Sequence, residues 1–179
     1  MTQILAFSGS NSSVSINFSL LQYAVSQIAA FPVEVFELSQ SNIPMYQYDL
    51  EKNDGIPSAI HQLFKHIAGS KGLVIAVNEH NSYPSAFFKN NLDWLSRIDP
   101  KFLTDKKILL MSTSTGKRGG VGALSHAKAL CTRFGGEVVA TFSLPSFKEN
   151  FDTATHQITH TSMANELSVA LSKFTDALA

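Results

Sequence analysis

The segment Ser8-Gly9-Ser10-Asn11-Ser12-Ser13-Val14-Ser15-Ile16-Asn17 joins the apolar run Ile4-Leu5-Ala6-Phe7 to a stretch with helical periodicity. Small side chains let backbone N–H groups approach an anion, and serine hydroxyls add donors. The start of the next helix turns its positive dipole end to the same point. The segment reads as a phosphate cradle, with Ser10, Ser12, Ser13 and Ser15 offering hydroxyls and Asn17 just inside the helix. Ser15 also suits a plain helix N-cap, which explains one serine but not the cluster. Gly9 is the sole glycine here, so the G-x-G-x-x-G fingerprint of dinucleotide binding is absent.

Two further loops have unusual chemistry. Asn78-Glu79-His80-Asn81-Ser82-Tyr83-Pro84 ends an apolar run abruptly. Its amides could hydrogen-bond the edge of a planar heterocycle, or it is an ordinary turn into a helix begun by Pro84. Ser112-Thr113-Ser114-Thr115-Gly116-Lys117-Arg118-Gly119-Gly120-Val121-Gly122 holds four glycines, which allow backbone approach to a flat ligand. Lys117 and Arg118 could attract an anionic cosubstrate, or they are two solvated cations on a mobile loop. The P-loop pattern G-x-x-x-x-G-K-[ST] is absent.

The elements that must position these loops alternate along the chain. Strands are expected at 2–8, 33–38, 72–77, 107–112 and 138–142, of which 33–38 alternates with period two as an edge strand does. Helical stripes run through Phe18, Leu21, Val25 and Ile28; through Ile56, Ile60, Leu63, Phe64 and Ile67; from Pro84 to Leu95; through Leu124, Ala127, Cys131 and Phe134; and through Leu167, Leu171, Phe174 and Leu178. Residues 40–54 and 143–160 read as loops. Such alternation predicts a parallel sheet covered by helices on both faces, in one domain over residues 1–179. In such sheets ligands bind beyond the carboxyl ends of the strands, near the switch in strand order. The three polar loops leave those ends.

Composition narrows the function classes. Of 179 residues, 44% are hydrophobic and 16% charged, which fits a folded domain, and the formal net charge of zero argues against a nucleic-acid binder with a broad basic surface. No apolar run approaches the roughly 20 residues of a membrane span. Met1 leads directly into a strand with no leader segment, so a soluble, cytoplasmic protein is expected. The lone Cys131 lies on an apolar stripe, so burial is expected rather than nucleophilic chemistry. His156 and His160 are four residues apart, but no Glu stands between them and they lie at a loop–helix junction, so no metal is expected. No Gly-x-Ser-x-Gly elbow suggests a hydrolase.

The chain resembles the NADPH-dependent FMN reductases, the flavodoxin-like group with quinone, chromate and azo-compound reductases, over about residues 3–142. The family's G-S-x-R-x-x-S-x-N reads here Gly9 to Asn17. Its P-E-Y-N, then Pro, then K-N-x-x-D-W reads Asn78-Glu79-His80-Asn81, Pro84 and Lys89-Asn90-Asn91-Leu92-Asp93-Trp94. Its L-P-x-Y-x-x-D-x-E reads Ile43 to Glu51, and its Ser/Gly-rich loop reads Ser114 to Gly120. The resemblance implies a flavodoxin-like three-layer sandwich with sheet order 2-1-3-4-5. It implies FMN with its phosphate at Ser10, Ser12, Ser15, Ile16 and Asn17. Asn78, Glu79, His80 and Asn81 would flank the ribityl chain and ring edge. Ser114, Thr115, Gly116 and Gly119 would border the ring's other side. It further implies a homodimer or homotetramer using the 84–97 helix, with Lys89, Asp93, Trp94 and Arg97 as interface candidates.

The implied activity passes electrons from NADPH or NADH through FMN to a small acceptor, such as a quinone, free flavin, azo compound or metal oxyanion, by ping-pong hydride transfer. Cofactor chemistry of this kind needs no acid–base triad, and no catalytic side chain is assigned. A flavodoxin-like electron carrier or a non-catalytic flavin-binding protein is the alternative. Carriers of that type tend to be strongly acidic, whereas this chain is neutral. The chain departs from the family pattern at Ser12, where an arginine is usual, at Asn78 and His80 in place of Pro and Tyr, and at Ser85 in place of Gly. Losing the guanidinium contact removes a charge-assisted bond worth about 1.5–3 kcal/mol.

Overall fold

A computed structural model describes residues 4–179 of the chain. In chain order the main elements are β1 (Ile4–Ser8), α1 (Ile16–Ser26), β2 (Val33–Phe36), α2 (Tyr48–Asp54), α3 (Ser58–Gly69) and β3 (Gly72–Ala76). A hairpin of β4 (Glu79–His80) and β5 (Tyr83–Pro84) follows, then α4 (Ala86–Ile98), β6 (Lys107–Thr113), α5 (Val121–Arg133) and β7 (Glu137–Leu144). Last come α6 (Phe147–Asn150), a second hairpin of β8 (Phe151–Asp152) and β9 (Gln157–Ile158), and α7 (Thr161–Asp176). The part of the first expected strand before Ile4 lies outside the described residues.

The parallel sheet has the order β2-β1-β3-β6-β7. Counting only its own strands, this is the expected 2-1-3-4-5, because β4 and β5 form a separate hairpin. Strand alternation sorts the core into two layers. Leu5, Phe7, Leu73, Ile75, Ile108 and Leu110 pack with α3, α4 and α5 on one face. Ile4, Ala6, Val74, Ala76, Leu109 and Met111 pack with α1 and α7 on the other. β1 and β3 are buried along their whole lengths, as the apolar runs require of central strands, while β2 is only partly buried at the edge. The outermost helix stripes are equally well used: Leu167, Leu171 and Phe174 of α7 are all core residues.

Some expectations fail at loops. Residues 48–54 are helical, because the segment is tied down by α4 rather than by an apolar stripe of its own. Trp94 Nε1 and Asn90 Nδ2 both donate to Pro44 O, at 2.8 and 2.9 Å. Asn90 Oδ1 accepts from Tyr46 N at 2.7 Å, and the Tyr46 ring meets Trp94 edge-on at 5.1 Å. Tyr46 Oη donates to Glu51 at 2.9 Å and Arg97 Nε donates to it at 3.0 Å. The Arg97 bond lowers the Glu51 carboxyl below its usual range. Trp94 is fully buried, so it is a core residue and not an interface candidate. Arg97 is engaged with Glu51 of its own chain, while Lys89 pairs with Asp93 at 2.5 Å on the helix surface.

Pro84 does not open α4. It pairs with Glu79 in the hairpin, and Ser85 caps the helix instead, accepting from Phe88 N at 3.0 Å. The stretch 143–160 holds α6 and the second hairpin rather than a plain loop. His156 sits at a positive φ of 53° in that hairpin's turn and His160 stands at the N-cap of α7. No group of three metal-ligating side chains occurs among the described residues. Cys131 is buried against the sheet as expected, which pushes its thiol up to about 12.

Candidate functional site

The chain runs from β1 out to β2 and then crosses back to β3, so the order of the sheet reverses between β1 and β3. The loops after β1, β3 and β6 meet there, as the switch-point rule requires. They enclose a cavity of about 260 Å³ lined by Ser10, Ser12, Val14, Ser15, Ile16 and Asn17 from the first loop. Asn78, Glu79 and His80 come from the second, and Thr113, Ser114 and Thr115 from the third.

The first loop is folded by its own hydroxyls. Ser10 N donates to Ser8 Oγ, Ser12 N to Ser10 Oγ and Val14 N to Ser12 Oγ, at 3.4, 3.2 and 3.3 Å. Each step is a local side-chain turn, the reason serine clusters in such segments. Each oxygen accepts from an amide, so its O–H proton remains free to donate. Ser15 caps α1, accepting from Phe18 N at 3.2 Å. The amides of Ile16 and Asn17 in the first turn of α1 find no acceptor among the described residues. Amides, hydroxyls and the α1 dipole converge on one end of the cavity, and no lysine or arginine among the described residues lines it. The donors at this end are therefore all neutral, in keeping with Ser12 at the family's arginine position.

Gly9 and Ser85 bring this loop against α4. A Cβ on Gly9 would sit 2.5 Å from a Phe88 ring carbon, so a glycine is needed for the close approach. Ser85 Oγ donates to Gly9 O at 3.0 Å, which gives a physical use to the serine that replaces the family's glycine.

Two expected cofactor-binding side chains are engaged elsewhere. Asn17 is buried, and its carboxamide donates to Thr113 O at 3.1 Å and accepts from Thr113 N at 2.9 Å. Its side chain clamps the first loop to the end of β6, leaving only its backbone N–H for an anion. Glu79 accepts from Ala123 N at 2.9 Å in the first turn of α5. Gly120 supplies no side chain to cap that helix, and Glu79 does so from the hairpin, its charge facing the positive dipole end. A Cβ on Gly122 would lie 2.7 Å from Glu79 Oε2 and 2.6 Å from Ser82 O, so this contact also needs a glycine.

Asn81, Gly116 and Gly119 fall outside the cavity lining. Asn81 and Ser82 have φ of 52° and 67°, forming the tight turn between β4 and β5. Gly116 O accepts from the amides of Gly119 and Ser146, at 3.2 and 2.9 Å. Gly119 O accepts from Ser112 Oγ and Ser143 Oγ, at 2.8 and 3.0 Å. Both glycines shape the third loop. Ser114 and Thr115 do reach the cavity. Lys117 and Arg118 are exposed, and neither forms an ion pair among the described residues. Sequence reasoning missed Val14 and Thr113 as lining residues. Thr113 is the last residue of β6, and the Asn17 clamp brings it to the first loop.

At the end of β3, Asn78 is 9% exposed, and its Oδ1 is buried without a donor among the described residues. Its Nδ2 lies 3.3 Å from His80 Nε2. The cavity thus has a donor-rich end at the first loop, which fits an anionic group, with polar side chains of the second and third loops beside it.

A family model of NADPH-dependent FMN reductases matches residues 2–149. The chain is 30% identical over 129 residues to a quinone reductase of Escherichia coli strain K12, covering 72% of this chain and 68% of that protein. It is 30% identical over 124 residues to an NADPH:quinone oxidoreductase of Arabidopsis thaliana, covering 67% and 62%. In fold it is similar to FerB, an NAD(P)H:(acceptor) oxidoreductase of Paracoccus denitrificans. The TM-score is 0.79 at 21% identity, over 99% of this chain and 97% of that one.

Proposed function

We propose that this chain, which belongs to the NADPH-dependent FMN reductase family, holds FMN in the cavity at the β1–β3 switch point and reduces small acceptors. The observation that carries this reading is the convergence of three polar loops on one cavity with unpaired amides at one end. FMN bound there would supply two-electron chemistry linking NADPH or NADH to a quinone, free flavin, azo compound or metal oxyanion in a ping-pong cycle. Ser10, Ser12, Ser15, Ile16 and Asn17 fix the phosphate through hydroxyls and amides. Asn17 and Glu79 hold the three loops together, the first through Thr113 and the second through α5. Lys117 and Arg118 offer positive charge to the phosphates of the donor nucleotide. At about 260 Å³ the cavity is slightly smaller than sites that enclose a small molecule, roughly 300–1,000 Å³. A mononucleotide in it keeps one part open to solvent, where donor and acceptor can reach it in turn.

Purified protein should take up FMN and oxidise NADPH in the presence of a quinone. Flavin reduced only by a chemical reductant would point to an electron carrier, and failure to load FMN would sink the assignment. No helix among the described residues is long and apolar enough to cross a membrane, and we place the reaction in the cytoplasm, where reduced pyridine nucleotides are supplied. Copies of the chain are proposed to associate beside Lys89 of α4. An apolar hollow of about 350 Å³ there is lined by Tyr83, Lys89, His126 and Leu130, with exposed Tyr83 stacked on His126 at 4.0 Å. Tyr83→Glu should shift a dimer or tetramer to monomer in sedimentation velocity, and an unchanged mass would refute that face.

A further inference from the structure

We infer that Ser85 is a positioning residue for the donor-rich end of the cavity: acting through Gly9, its hydroxyl sets the direction of the loop donors, and FMN affinity depends on it. The inference rests on the FMN reading above and concerns a position at which this chain departs from the family pattern. Residues 10–16 make no hydrogen bond to another segment among the described residues; their bonds run only within the loop and into α1. The loop is moored at its two ends. Asn17 holds Thr113 at the far end. At the near end Gly9 N donates to Ala76 O at 2.8 Å, and Gly9 O accepts from Ser85 Oγ at 3.0 Å. Ser85 is buried, and its Oγ also accepts from Phe88 N at 3.0 Å, so the hydroxyl proton is committed to Gly9 O.

The peptide joining Gly9 to Ser10 is trans, so its C=O and N–H point to opposite sides. Holding Gly9 O at the start of α4 therefore turns Ser10 N–H away from that helix. This N–H reaches Ser8 Oγ only at 3.4 Å, a long bond that an anion in the cavity can replace. The next turns hang from the same point, since Ser10 Oγ accepts from Ser12 N and Ser12 Oγ from Val14 N. A neutral hydrogen bond weakens steeply as its donor tilts, whereas the attraction of a cation falls off slowly with distance. With Ser12 in place of the family's arginine, the site depends on how firmly its loop is set. A glycine at 85, usual in the family, has no hydroxyl with which to hold Gly9 O.

The test uses the full chain stripped of FMN, with Ser85→Gly and Ser85→Thr as variants. Glycine removes the hydroxyl yet keeps most of the stability of a helix N-cap, and threonine keeps the hydroxyl. Affinities for FMN and for riboflavin, which lacks the phosphate, are read by quenching of flavin fluorescence. We expect Ser85→Gly to bind FMN about tenfold more weakly than wild type, with its riboflavin affinity within twofold. Ser85→Thr should keep both affinities within twofold. Unchanged FMN affinity in Ser85→Gly overturns the assignment. Equal losses for the two flavins also overturn it, because that pattern marks a general loosening, and so does a threonine variant that loses as much as the glycine one. A wild-type chain that binds both flavins equally keeps a flavin site but overturns this inference. One that binds neither overturns the FMN reading together with it.

Discussion

Asn17 and Thr113 are joined by two hydrogen bonds between one carboxamide and the backbone N–H and C=O of one residue, at 2.9 and 3.1 Å. This pair ties the loop after β1 to the end of β6, and so sets the width of the cavity between them. Asn17→Ala would leave a buried N–H and a buried C=O unpaired, a loss of about 2–3 kcal/mol of stability. FMN binding should weaken as well, because the first loop loses its anchor. Chemical denaturation and FMN titration of the same variant check both effects; intact stability would show that the clamp is dispensable.

Glu79 caps α5 from a different segment, and the cap has separable parts. Glu79→Gln keeps an oxygen that can accept from Ala123 N and loses only the charge facing the helix dipole, about 0.3–1 kcal/mol. Glu79→Ala loses the cap itself, about 0.5–2 kcal/mol. The expected order of denaturation midpoints is wild type, then Gln, then Ala. Equal midpoints for Gln and Ala would mean that the hydrogen bond contributes nothing beyond the charge.

Ser12 is exposed, at the donor-rich end of the cavity. An arginine there has room to extend and would add the cation that the lining lacks. Ser12→Arg should tighten FMN binding at low ionic strength, and the gain should shrink as salt screens it. Calorimetric titration at two salt concentrations reads this. No change in affinity at either would place the phosphate beyond reach of residue 12.

Cys131 gives a pH signature unrelated to the site. Burial raises its thiol from an ordinary 9.0 to about 12. The unfolded chain ionises first as pH rises, so folding holds an extra proton through that interval. This contribution to stability is complete below about pH 9 and is lost progressively as pH climbs toward 12. Cys131→Ala should flatten the decline of stability above pH 9 and also lower the overall level by leaving a small cavity. In the native protein at pH 8 the thiol should react with a disulfide reagent only as fast as the chain opens. Prompt labelling would contradict its burial.

The periodicities were sufficient to place the five sheet strands and the two helical layers, while the strand order followed from the family resemblance. Strand alternation in Ile4-Leu5-Ala6-Phe7 sends successive side chains to opposite cores, so the pattern carries its own structural meaning. The helix at 48–54 was not legible, because it lacks an apolar stripe. Its place is set by Pro44, Tyr46 and Glu51 meeting Asn90, Trp94 and Arg97 of α4. The hairpins of two-residue strands were hidden for a similar reason: their pairing leaves no periodic signal.

The chain by itself determined which three loops gather at the switch point, because loop position follows from element order and element order from local pattern. It also marked the donor-rich end of the cavity, since serine turns and a helix start are local structures. Tertiary structure alone decided which polar side chains stay available to a ligand. Asn17 looked like a phosphate contact until Thr113, 96 residues away, took both ends of its carboxamide. Glu79 looked like a ring contact until the α5 amide took its carboxylate. A polar group's role depends on which donors and acceptors the fold brings within about 3 Å, and a linear pattern does not encode that distance.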